Sequence, residues 1–127
     1  MPRRALIVLA LFAALFSTVS APASAAVHGS CTISGCDAAR TAYNGWRQLG
    51  FPTARAWHAW PYGQYNFAGG RFYNREGQLP AGHTFQEYDT HPRPRGAARD
   101  ARRIVRDVTT GVVWYSPDHY ATFYRII

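Results

Sequence analysis

Four side chains in the last third of this 127-residue chain are of the types that move protons and stabilise negative charge. They are Glu87 in Thr84-Phe85-Gln86-Glu87-Tyr88-Asp89, Arg99 and Arg103 in Arg99-Asp100-Ala101-Arg102-Arg103-Ile104-Val105, and His119 in Asp118-His119-Tyr120-Ala121-Thr122-Phe123. In-line transfer at an RNA phosphodiester without a metal needs three things. A base takes the proton of the ribose 2′-hydroxyl, an acid protonates the departing 5′-oxygen, and cations stabilise the charge growing on the phosphoryl oxygens. A carboxylate, an imidazole and two guanidinium groups supply that set. Taken singly, each has a plainer reading: an exposed glutamate, a structural histidine, two charges on a solvated edge. Just upstream, Phe72-Tyr73-Asn74-Arg75-Glu76-Gly77 reads as a recognition loop.

The elements that must position these groups follow from periodicity and turn chemistry. Asp37 is a candidate N-cap, and Ala39, Ala42, Tyr43, Trp46 and Leu49 recur at helical spacing before Gly50 and Pro52, which predicts one amphipathic helix. Residues 51–70 mix Trp57, His58, Trp60, Tyr65 and Phe67 with Gly and Pro and show no clear period. They read as an irregular connection over the sheet edge, or as a surface on which bases stack. Beyond Gly69-Gly70, strands are expected at residues 71–73, 84–90, 102–108, 112–116 and 122–126. Alternation places Phe85, Glu87 and Asp89 on one strand face. The expected fold class is α+β, with one N-terminal amphipathic helix packed on a small antiparallel β-sheet.

Charge and export signals narrow the partner. A basic start, Met1-Pro2-Arg3-Arg4, precedes an apolar run over residues 5–16 and the small-residue box Ala23-Ser24-Ala25, the pattern of a secretory signal peptide over residues 1–25. The apolar run is too short to span a bilayer. Residues 26–127 then form a single secreted domain with no membrane attachment. Without Arg3 and Arg4 the chain holds 12 arginines, no lysine and 7 acidic residues, a net +5 with His neutral. A net-basic exported domain whose cations are all planar forks points to a polyanion, nucleic acid first. Cys31 and Cys36 are most simply a disulfide in an exported chain, tying the N-terminal arm to the start of the helix. Two thiols alone make no metal site.

Residues 72–123 resemble the barnase-type branch of the microbial guanyl-specific ribonucleases. Phe72-Tyr73-Asn74-Arg75-Glu76-Gly77-Gln78-Leu79-Pro80 is similar to that family's Phe-x-Asn-Arg-Glu-Gly-x-Leu-Pro segment. Glu87-Tyr88-Asp89, Arg99 with Arg103-Ile104, and Asp118-His119-Tyr120-Ala121-Thr122-Phe123 follow in the family's order. The resemblance implies the microbial ribonuclease fold and metal-independent cleavage of single-stranded RNA 3′ of guanosine through a 2′,3′-cyclic phosphate, without a cofactor. Glu87 would be the general base of the first step and His119 the general acid, the two exchanging roles in the hydrolysis. Arg99 and Arg103 would hold the scissile phosphate.

Guanine would be read at its Watson–Crick edge by the Glu76 carboxylate and the backbone amides of Asn74 and Arg75, which requires an unpaired base. Tyr73 would contribute mainly backbone, Phe72 would pack against the base, and Tyr120 would lie near the phosphate or the base. The resemblance further implies a monomer and, in the producing cell, a barstar-like inhibitor covering Arg99, Arg103 and His119. Residues 81–86 are shorter than in the best-known members, and His83, residues 57–70 and the cysteine pair have no counterpart there. Two other functions fit the same residues: a secreted RNA- or polyanion-binding module without turnover, and the same chemistry used as an antibacterial toxin.

Overall fold

The computed structural model describes residues 27–127, so the signal expected at residues 1–25 lies outside the described residues. The elements run β1 (Val27–His28), α1 (Cys36–Gln48), β2 (Ala56–Ala59), β3 (Tyr65–Phe72), β4 (Phe85–Asp89), β5 (Arg103–Asp107), β6 (Val113–Ser116) and β7 (Phe123–Arg125). All strands join one seven-stranded sheet in the order β1-β7-β6-β5-β4-β3-β2. The fold is α+β, as the sequence predicts, but the sheet is larger than the small one expected and β1 precedes the helix. It is also not wholly antiparallel, because β1 runs parallel to β7.

Cys36 opens α1 and is bonded to Cys31, whose carbonyl accepts Arg40 Nη2 at 3.0 Å. The N-cap is Gly35 in the left-handed region rather than Asp37, which lies in the first turn, where its negative charge suits the helix dipole. Ala39, Ala42 and Trp46 are buried against Ala68, Tyr88, Ile104, Val113 and Tyr115 on one face of the sheet. The small alanines let the helix approach closely while Trp46 fills the gap, its indole Nε1 donating to the Asp89 carbonyl at 2.9 Å. Burial pushes the Tyr88 hydroxyl up to about 12, against the opposing charge of Arg106, so it stays neutral in this core. A second cluster on the opposite face, Leu79, Phe85, Val105, Trp114 and Phe123, packs with Phe72, Val112 and Tyr120.

Residues 51–70 differ most from the sequence reading. Instead of an irregular cover over the sheet edge, they supply the edge itself. β2 and the first half of β3 form an antiparallel hairpin with Trp57 opposite Phe67, closed by Trp60 N–H donating to the Gln64 carbonyl at 2.9 Å. Cross-strand aromatic packing holds together a pair whose Gly- and Pro-rich composition hides it. Nor is Gly69-Gly70 a boundary, since it lies inside β3, where the register with β4 shifts between Ala68 and Gly70. A bulge of this kind re-aims the strand beside a site.

Candidate active site

β4 is buried along its whole length. Its alternation sends Tyr88 toward the helix and Phe85 into the second cluster, and the Glu87 and Asp89 carboxylates follow Phe85. The Glu87 carboxylate emerges at the floor of an open cleft of about 980 Å³, lined among others by Glu87, Arg99, His119 and Tyr120 and by the loop residues Tyr73 to Glu76. Glu87 needs the bulge beneath it, because a Cβ on Gly69 would overlap the Glu87 carboxylate. Gly70, with φ of +79°, packs against the Arg55 side chain in the same manner.

Asp89 is wholly buried and draws three guanidinium groups together. Arg93 Nη2 lies 2.7 Å from its Oδ2, Arg99 Nη2 lies 2.6 Å from Oδ1, and Arg103 Nε lies 3.3 Å from Oδ1. Arg99 also donates to Glu87 Oε1 at 3.1 Å. Burial opposes the charge on Arg99, yet its hydrogen bond to Asp89 and the charges of Asp89 and Glu87 hold its pKa above the ordinary value. Arg103 moves the other way: burial and then the neighbouring Arg99 outweigh the attraction of its carboxylates. Only 3% of its side chain is exposed, and its Nη1 donates to the Asp100 and Arg102 carbonyls. Arg103 therefore sits behind Glu87, with Nε 3.8 Å from Oε2, while Arg99 faces the cleft.

His119 comes from the β6–β7 connection, which is organised by Asp118. Asp118 Oδ1 accepts Ser116 Oγ at 3.1 Å and the Thr122 amide at 2.8 Å, and Oδ2 accepts Thr122 Oγ1 at 2.7 Å. Ser116 Oγ in turn accepts the Tyr120 amide at 2.8 Å, and the His119 amide donates to the Ala101 carbonyl. These bonds hold His119 and Tyr120 at φ of 52° and 74°, a conformation that costs an ordinary residue about 1 kcal/mol or more. The imidazole is thereby exposed over the cleft beside the Tyr120 ring, with centroids 4.7 Å apart.

Asn74 closes the expected recognition loop. Its side chain donates to the Leu79 carbonyl at 2.9 Å and accepts the Leu79 amide at 3.1 Å, and its carbonyl accepts the Gly77 amide at 2.9 Å. Asn74 itself has φ of 51°. With its side chain used as a brace, only its backbone can address a ligand. Glu76 and Tyr73 are both exposed on the cleft wall. Phe72 stacks on Tyr120 with centroids 4.6 Å apart and packs on Phe85 and Phe123, so its ring is shared between core and cleft.

The tertiary structure thus brings Glu87, Arg99, His119, Tyr120 and the loop residues 72–76 to one cleft, with Arg103 directly behind it. The sequence reading gave no role to Arg55. It lines the cleft, donates to the Gly69 carbonyl at 2.8 Å and approaches Glu87 Oε1 to 3.8 Å. Nor did it give one to Asp89, although alternation already put Asp89 on the face of Glu87. The aromatic surface at Trp57 and Phe67 is covered by guanidinium groups, Arg93 over Trp57 and both Arg55 and Arg99 over Phe67. His83 lies away from the cleft, its Nδ1 2.6 Å from the buried Asp107 Oδ2. Among the described residues, no group of three His, Cys, Asp or Glu side chains could hold a metal ion.

A family model described as ribonuclease matches residues 22–127, which includes every described residue of the cleft. No curated protein matches the chain.

Proposed function

We propose, from the premise that the chain belongs to the ribonuclease family, that it is a secreted endoribonuclease of the barnase-type branch, cutting single-stranded RNA 3′ of guanosine. One observation carries the reading: a nearly buried glutamate, hydrogen-bonded to Arg99, backed by Arg103 and flanked by Arg55, opens into the same cleft as an exposed imidazole. In the first step Glu87 takes the proton of the 2′-hydroxyl as its oxygen bonds to phosphorus. His119 gives a proton to the 5′-oxygen as the P–O5′ bond breaks, leaving a 2′,3′-cyclic phosphate. Water then opens the ring with the two residues in reversed roles, giving a 3′-phosphate. Arg99, Arg103 and Arg55 supply fixed positive charge where the phosphoryl oxygens become more negative.

Guanine preference rests on the loop. Asn74 spends its side chain on loop closure, which leaves the amides of Asn74 and Arg75 for guanine O6 and the exposed Glu76 carboxylate for N1 and N2. Because the cyclising step needs the 2′-hydroxyl, DNA binds without being cut. The basic, apolar and small-residue pattern of residues 1–25 supports export, and a cognate inhibitor would meet the cleft with an acidic surface.

The test is digestion of a defined single-stranded RNA by the mature protein in EDTA, with the product ends mapped. Ends bearing guanosine 2′,3′-cyclic phosphate are expected. Cuts after all four bases would remove the guanine assignment, and no cuts by folded protein would favour an RNA-binding module without turnover.

A further inference from the structure

Arg55, Arg93, Arg99 and Arg103 each have a carboxylate within 4 Å, whereas among the described residues two cleft-lining arginines, Arg71 and Arg75, have none. Both instead lie against one ring. Their guanidinium carbons are 5.0 Å and 5.5 Å from the centroid of Tyr73, which is 62% exposed. Arg71 projects from a stretch of β3 beyond its pairing with β2, which ends at Ala56 opposite Ala68. The edge there is open. The result is an exposed aromatic ring flanked by two unneutralised planar cations on the wall of a nucleic-acid cleft. Rings of this kind stack on unpaired bases, and free guanidinium groups bind phosphate oxygens as a fork.

We propose that Arg71, Tyr73 and Arg75 form a subsite for the nucleotide on the 5′ side of the recognised guanosine. The inference rests on the ribonuclease reading above. The scissile phosphate is 3′ of that guanosine and lies at Glu87 and Arg99, and the leaving 5′-oxygen must meet His119. The strand leaving through the guanosine 5′-oxygen therefore takes the loop side of the cleft, where Tyr73 and the two arginines stand. The side chains of this loop thus extend the site along the RNA, while its backbone and Glu76 read the base. Arg71 and Arg75 would bind the phosphate between the two nucleotides, and Tyr73 would stack on the upstream base.

The subsite is tested by comparing kcat/KM for GpU, which has no upstream nucleotide, with ApGpU. Wild-type protein should favour ApGpU by about tenfold, the scale of one stacked base. Arg71→Gln should lose most of that ratio and flatten the salt dependence of ApGpU cleavage by about one phosphate contact. Tyr73→Ala should lose the ratio while keeping the salt dependence. Equal rates on the two substrates, or a ratio unchanged in both variants, would overturn the subsite and leave the ribonuclease reading standing. No cleavage of either substrate by folded wild-type protein would overturn both.

Discussion

Arg99 grips Asp89 as a fork, with Nε 3.0 Å and Nη2 2.6 Å from the same Oδ1, and that Nη2 reaches on to Glu87. The carboxylate that fixes the cleft arginine is therefore not the one proposed to take the proton. Such a division leaves Glu87 free to change protonation state while Arg99 stays in place.

Replacing the buried carboxylate, Asp89→Asn, leaves Arg93, Arg99 and Arg103 crowded around a neutral amide. A loss of about 3 kcal/mol in folding stability is expected, because it breaks a buried ion pair from one side. Urea unfolding at neutral pH measures it. A loss below about 1 kcal/mol, the level of a surface pair, would show that the hub contributes little.

For the proton-transfer pair, Glu87→Ala and His119→Ala should each lower RNA cleavage by about 100-fold or more. Binding of 3′-GMP should persist in both variants. His119→Ala should be least impaired on a substrate whose leaving group departs without protonation. Wild-type turnover in both variants would remove the two residues from the mechanism.

Gly69→Ala tests whether the bulge serves Glu87. The added methyl has no room unless the Glu87 carboxylate moves, and a displacement of that order can cost about 100-fold in rate. The expectation is a large fall in kcat in a protein that still unfolds cooperatively. Unchanged kcat would mean that Glu87 has another productive position.

Burial raises the Asp107 carboxyl, but the hydrogen bonds from His83, Thr110 and Thr109 outweigh it and hold the group below the ordinary carboxylate range. A depressed folded-state value gives stability that is present above the unfolded value, about 4, and is lost as pH falls through the folded one. Asp107→Asn should therefore be less stable than wild type at pH 7, and the gap should close in acid. A gap constant from pH 7 down to pH 2 would rule out this origin.

Much of the candidate site is readable before folding. The strand alternation that puts Glu87 and Asp89 together survives in β4, and the ordered runs around Arg99 and His119 keep their chemistry. Asp118 shows why the last run is legible as a unit: the partners of its carboxylate, Ser116 and Thr122, lie within four residues of it. The β2–β3 hairpin is not legible in this way. Its Gly-rich composition argues against strands, and the Trp57 and Phe67 packing that overrides it is ten residues apart. Arg55 is hidden for the same reason, since only the hairpin carries it to Glu87, 32 positions along the chain.

The sequence alone determined the reactive groups, the helix stripe, the short disulfide loop and the local turn chemistry, all of which depend on neighbours within a few positions. Tertiary structure decided which cations are spent and which are free. Asp89 pairs with Arg93, Arg99 and Arg103 from a buried position, while among the described residues Arg71 and Arg75 have no carboxylate partner and flank Tyr73. Charge pairing falls off with distance through space, and distance between strands is set by the register of the sheet rather than by separation along the chain.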